Sequence, residues 1–207
     1  MMNTELSLRD PASRMGWLRM VEQIAFGCFG NHRIVGVTAP HFSAGVSTLS
    51  RALANISAQW GKETLLIDLS EPLSRLEWIL DAADPRDLIQ RSEGNYDTLK
   101  ITANETDAEI FTAPEYLLEN LVGTLNEYRS IVLDLPPVLE YSSSTISPIL
   151  AATKCDIVAI VSVKGQTTFD DLKNVIDMCR VAGVRIGGTV LNEFNPARPR
   201  GADKQAA

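Results

Sequence analysis

Two stretches constrain the fold more than any others: "ETLLIDL" (63–69) and "SIVLDLPPV" (130–138) are apolar runs that each close on an aspartate. A strand covered on one face alternates apolar and polar residues, whereas a strand covered on both faces reads as a continuous apolar segment. Both runs therefore predict central strands, with Asp68 and Asp134 at their carboxyl ends. "RIVGVTA" (33–39), "DIVAIVSV" (156–163), "VRIGGTVLN" (184–192) and the shorter "TLKIT" (98–102) add further strands. Helical patterns separate them. Asp10 and Pro11 form an N-cap and first-turn proline, and Trp17, Leu18, Val21, Ile24 and Ala25 follow at helical spacing. Leu49, Ala52, Leu53, Ile56 and Trp60 share one face of a second helix, which Gly61 ends. Thr112 and Glu115 make a capping box before a helix carrying Leu117, Leu118, Leu121, Val122 and Leu125, and Leu172, Val175, Ile176 and Cys179 mark another. This alternation predicts an α/β fold, a doubly wound and mostly parallel sheet flanked by helices.

With 207 residues, 45% of them apolar, the chain suffices for one such domain and is short for two. We assign 1–195 to that domain. Residues 196–207 are rich in Pro, Gly and Ala without periodicity, and are expected to be a disordered tail. Residues 81–95 are the least legible. A net charge of −7 and the lack of a basic stripe argue against nucleic acid as a partner. Cys28, Cys155 and Cys179 lie far apart with no CxxC spacing, which predicts buried thiols in a reducing cytosol rather than disulfides or zinc ligands. The first residues lack the apolar core of a signal peptide, and no apolar run reaches the ~20 residues needed to cross a bilayer. A soluble, cytoplasmic chain is expected.

The stretch "GVTAPHFSAGVSTLSRALA" (36–54) runs from a strand through a turn into a helix opening Gly-x-Ser-Thr. That is the layout of a phosphate-binding loop, where backbone N–H groups at a helix N-terminus cradle an anion. Gly45 keeps the turn, Ser47 stands where a hydroxyl ligates magnesium, and Thr48 where the next hydroxyl meets a phosphate. Asp68 and Asp134 stand where carboxylates hold the metal and its waters. The loop pattern demands a lysine at position 46, and the residue there is Val46. Its hydrogen bond to a charged phosphate is worth roughly 1.5–3 kcal/mol, and valine supplies none of it. Two readings of Ser47 and Thr48 stand at this point, as ligands or as a helix cap alone. Lys164 in "VKGQTT" is read either as a substitute ammonium near the crevice or as a solvated lysine. His41 is read as an exposed loop residue with a phosphate within reach, and Trp17 and Phe26 as packing on the sheet. The loop's conformation decides much: N–H groups of residues 43–48 converging on one point keep phosphate binding alive, whereas a plug of Phe42 or Val46 ends it.

Three segments carry a resemblance. "IVGVTAPHFSAGVSTLSRALANISAQWGKETLLIDLSEP", "VLDLPPV" with its double proline, and "CDIVAIVSVKGQTTFDDL" with "AGVRIGGTVLN" together resemble the bacterial tyrosine kinases, or BY-kinases. These belong to the deviant P-loop proteins related to MinD and ParA. The resemblance implies a P-loop NTPase-like fold, ATP or ADP with Mg²⁺ as cofactor, and a membrane-embedded polysaccharide co-polymerase as partner. It puts Gly45, Ser47 and Thr48 in the Walker A motif, Asp68 in Walker A′, Asp134 in Walker B, and Asn192 near the adenine. The departures are Val46 for the lysine, Ser43 for a loop glycine, and Ser70 for the second Walker A′ acid. The family's C-terminal tyrosine cluster is absent, since the last tyrosine is Tyr141. Of the ring-assembly motif, aligned on Ser13, Gly16 and Arg19, only Arg19 survives.

These departures lead to a pseudokinase with a weakened or empty nucleotide site. It would support exopolysaccharide or capsule export at the inner membrane through its partner, with a homo-oligomer also open. The alternatives are an active tyrosine kinase or ATPase with a rearranged site, and a MinD/ParA-type ATPase.

Overall fold

The computed structural model describes residues 11–70, 86, 89–92, 94–100, 123, 125–141 and 146–193. The predicted cap at Asp10, the capping box at Thr112 with most of the helix after it, and the 196–207 tail lie outside the described residues. Helix α1 (Pro11–Phe29) leads into β1 (Ile34–Thr38), α2 (Val46–Gln59) and β2 (Thr64–Asp68). There follow β3 (Gln90–Arg91), β4 (Asp97–Lys100), β5 (Ser130–Asp134), the short α3 (Pro148–Ala152), β6 (Ile157–Val163), α4 (Phe169–Val181) and β7 (Ile186–Asn192).

The strands form one seven-stranded sheet in the order β3-β4-β2-β5-β1-β6-β7. Every pairing is parallel except β3 with β4, so the doubly wound, mostly parallel prediction holds. β3 falls within the illegible stretch 81–95. Its two residues, Gln90 and Arg91, are both exposed, and such a strand has no apolar run to announce it.

Strand side chains alternate between faces, so each apolar run feeds two cores. Leu65, Ile67, Ile131, Leu133, Val158 and Ile160 join Val175 and Cys179 of α4 on one side. Leu66, Val132, Val35, Val37 and Val161 join Leu49 and Leu53 of α2 and Val21 and Ala25 of α1 on the other. The α1 stripe is Val21, Ala25, Cys28 and Phe29, with Trp17 and Ile24 packed at its margin. Leu18 and Phe26 fall outside it, and Phe26 is 75% exposed, contrary to the expectation that it packs on the sheet. Trp60 is likewise not on the buried face of α2 but at its C-cap, exposed, because the helix has ended by Gln59. Gly61 completes that stop with a left-handed φ of 76°. The three cysteines are free. Cys155 packs so closely on β1 that a Cβ at Gly36 would meet its Sγ at 2.7 Å. Burial pushes all three thiols up in pKa, which makes them inert packing groups.

From β1 the chain crosses over β5 to reach β2, and from β5 it crosses over β1 in the opposite direction to reach β6. The winding therefore reverses between β1 and β5. In an open α/β sheet a reversal leaves a crevice beyond the strand carboxyl ends, and the turn after β1 and the end of β5 form its walls.

Candidate functional site

The turn between β1 and α2 is shaped by two left-handed residues, Ser43 at φ 60° and Gly45 at φ 94°. Gly45 is the N-cap of α2, and no side chain caps that helix. Leu49 N–H is the first donor to turn inward, reaching the Gly45 carbonyl at 3.0 Å. The N–H groups of Val46, Ser47 and Thr48 then have no intrahelical acceptor and point out of the helix end. Ser47 and Thr48 lie inside the first turn rather than at the N-cap, which is Gly45. A left-handed residue followed by right-handed helix is also the local geometry that gathers N–H groups around an anion.

Neither predicted plug fills the turn. Phe42 stands 55% exposed, and Val46 packs against the apolar cluster on the α1–α2 face. Asn192, at the far end of β7, donates from Nδ2 to the Ala44 carbonyl at 2.8 Å. Its amide lies where a Cβ on Gly45 would come within 2.9 Å, so glycine is required there on two counts. Asn192 thus buttresses the turn.

Asp68 and Asp134 end neighbouring strands and are direct partners in the β2–β5 register. Asp134 is 1% exposed, and its Oδ1 has no hydrogen-bond partner. Burial, with the neighbouring Asp68 charge, pushes its carboxyl up to about 6; the Ser47 hydroxyl and the Arg51 guanidinium oppose the rise. Ser70, in the place of the second acid, donates to Asp68 Oδ1 from Oγ at 2.6 Å and from N–H at 3.1 Å. Ser47, Asp68 and Asp134 thus bring oxygen-bearing side chains to one sheet edge, with one buried Asp134 oxygen unpartnered. Among the described residues no group of three His, Cys, Asp or Glu suits a metal. A cation held here would complete its shell with ligand or water oxygens.

Lys164 does not reach this site as a substitute: its Nζ lies 2.8 Å from Glu193 Oε1, with both side chains exposed. The chain after Asp134 instead runs beside the turn. Leu135, Val138 and Leu139 donate to the Val37, Ala39 and Pro40 carbonyls, and Thr38 Oγ1 donates to the Pro136 carbonyl at 2.7 Å. Glu140 then accepts from Phe42 N–H at 2.8 Å.

His41 lies between two carboxylates, Nδ1 at 3.1 Å from Glu140 and Nε2 at 3.2 Å from Asp171 at the start of α4. Partial burial works against the imidazolium, yet the bonds to Asp171 and Glu140 outweigh it and raise the His41 pKa. Asp171, also bonded by Thr168 in a capping box, is held down at about 2. Sequence reasoning missed Glu140 and Asp171 as partners of the loop. The Thr168-x-x-Asp171 capping signal was present in the sequence, but nothing local links it to His41.

No family model matches the chain. A putative tyrosine-protein kinase, EpsB, of Ralstonia solanacearum is 27% identical over 193 residues, which is 86% of this chain and 25% of the relative. The chain therefore spans about a quarter of the length of the curated relatives it matches. The kinase domain of the Escherichia coli tyrosine kinase ETK superposes with a TM-score of 0.70 at 20% identity, covering 97% of this chain and 87% of that one. A cobyrinic acid a,c-diamide synthase from Mycobacterium smegmatis, solved with an ATP analogue and magnesium, gives a TM-score of 0.65 at 14% identity, covering 80% and 74%. No helix among the described residues is long and apolar enough to cross a membrane. The chain has the fold of P-loop NTPase-like proteins, and the resemblance to bacterial tyrosine-kinase domains drawn from its motifs holds in both sequence and structure.

Proposed function

We propose that this chain is a kinase-like domain that has given up phosphoryl transfer and supports exopolysaccharide or capsule export by docking on a membrane-embedded co-polymerase. The observation that carries this reading is Val46. At the position of the phosphate-neutralising lysine stands a partly buried isopropyl group packed against the apolar cluster, and Lys164 lies on the surface beside Glu193. Transfer needs charge stabilisation as negative charge spreads over the moving phosphoryl group, and removing one such contact commonly costs a hundredfold or more in rate. In the curated relatives the matching part is about a quarter of a longer chain. Gly45, Ser47, Thr48 and Asn192 are the proposed nucleotide contacts, and Ser47, Asp68 and Asp134 the proposed magnesium contacts.

A second reading, an active kinase or ATPase with a rearranged site, draws on the open Oδ1 of Asp134 beside Ser47. Phosphotransfer from labelled Mg-ATP to tyrosine substrates separates the two. The expected result is no transfer above background by the wild type. Transfer at an ordinary kinase rate that disappears in Asp134→Ala would overturn the proposal. Titration with a cytoplasmic segment of the co-polymerase tests the docking half, and heat-detected binding is expected.

A further inference from the structure

The turn after β1 offers an uncapped helix end but no lysine, which leaves any bound phosphate short of a cationic partner. Arg51 lies one helical turn beyond Ser47 on α2, and residues four apart share a helix face. Side chains on a helix lean toward its N-terminus, so an arginine at this position extends back toward Ser47 and the crevice. It is exposed, and its charge is felt at the buried Asp134 carboxylate. Among the described residues the guanidinium takes part in no ion pair. A second, independent feature marks the same place as a ligand site, namely the unpartnered Oδ1 of Asp134, which is 1% exposed and lies against Ser47.

We infer that Arg51 replaces the missing lysine as the cationic grip on a phosphate-bearing ligand seated at the N-terminus of α2. This rests on the reading above that phosphoryl transfer is lost, and it adds that phosphate binding is kept. A guanidinium is always charged and presents a planar fork of donors, well matched to phosphate oxygens. It would approach from the second turn of the helix rather than from the loop, so binding does not require the loop lysine that transfer uses.

The test is titration of the full chain with ADP and magnesium, with pyrophosphate and adenosine as separate probes. Wild type is compared with Arg51→Ala, Arg51→Lys and Arg129→Ala; Arg129 lies before β5 at the opposite edge and pairs with Glu63. Wild type is expected to bind ADP and pyrophosphate. Arg51→Ala should weaken both about tenfold or more, the scale of one charge-assisted hydrogen bond, and flatten the salt dependence. Arg51→Lys should keep part of the affinity, and Arg129→Ala all of it. Because Arg51 is exposed, circular dichroism should be unchanged in its variants, and melting should shift only slightly through the lost charge near Asp134. Equal ADP affinity in Arg51→Ala and wild type, adenosine binding as tightly as ADP, or no ADP binding by the wild type would each overturn the inference. Transfer by the wild type would instead overturn the reading of lost catalysis, which the phosphotransfer assay reads separately.

Discussion

The end of β5 and the turn after β1 face each other across one crevice. The first is built around a buried charge, the second around a partly buried valine that packs against the apolar cluster. At β5, Asp134 stays desolvated beside Asp68 with one oxygen unpartnered, an arrangement that lowers stability in the absence of a cation. At the turn, Val46 joins the apolar cluster, yet the backbone keeps its left-handed residues and uncapped helix end. Shape and charge are thus separable. The turn holds its form through Gly45, Asn192 and the His41 clasp, none of which needs the lysine.

The largest effect that sharpens this contrast lies on the β5 side. The Asp134 carboxyl is raised from 3.8 to about 6 in the folded state. The folded chain therefore binds more protons than the unfolded one in that interval, and stability falls as pH rises through it. The full cost stands above about pH 6 and amounts to roughly 3 kcal/mol. Asp134→Asn should remove that slope and raise unfolding free energy by about 2–3 kcal/mol at alkaline pH, read by urea melts. An unchanged pH profile would break the contrast, because the carboxylate would then be no burden.

On the turn side the expected effect is smaller. Gly45→Ala should lower stability by about 1–2 kcal/mol, from its left-handed φ and from contact with Asn192. In a double-mutant cycle Asn192→Ala should recover the steric part and not the backbone part. A fully additive cycle would mean that the Cβ at position 45 meets no resistance from Asn192.

The smallest effect is at His41. Its raised pKa means the clasp is complete below the ordinary histidine value near 6.5 and is lost as pH rises through the higher folded value. The carboxylates set the acid limit, since Asp171 and Glu140 are held below their ordinary values and their share fades only as pH falls through those lowered values. His41→Gln should therefore lower the melting temperature slightly at about pH 5.5 and have no effect near pH 8.5, because solvent screens a pair this exposed. A penalty at alkaline pH alone would refute the clasp.

Much of the scaffold was legible because burial on both faces writes itself as unbroken apolar runs, and β5 and β6 are buried throughout. Gly45, Ser47, Asp68 and Asp134 were legible for a related reason, since a strand end and a helix start place them at one sheet edge. Where Phe26 and Trp60 point was not legible. A hydrophobic residue at helical spacing does not say where the buried stripe ends or the helix stops, and both prove exposed.

By itself, then, the sequence determined which segments other than β3 are strands, that those strands pair in parallel, and that position 46 bears no charge. Each of these is a property of residues close together in the chain. Tertiary structure decided that Val46 packs against the apolar cluster, that Asn192 braces Ala44 from 148 residues away, and that His41 bridges Glu140 and Asp171. It also decided that Asp134 is buried with a free oxygen while Lys164 is taken by Glu193. These depend on strand order and register, which fix the neighbours of distant residues and hence whether a charge is solvated, paired or left open.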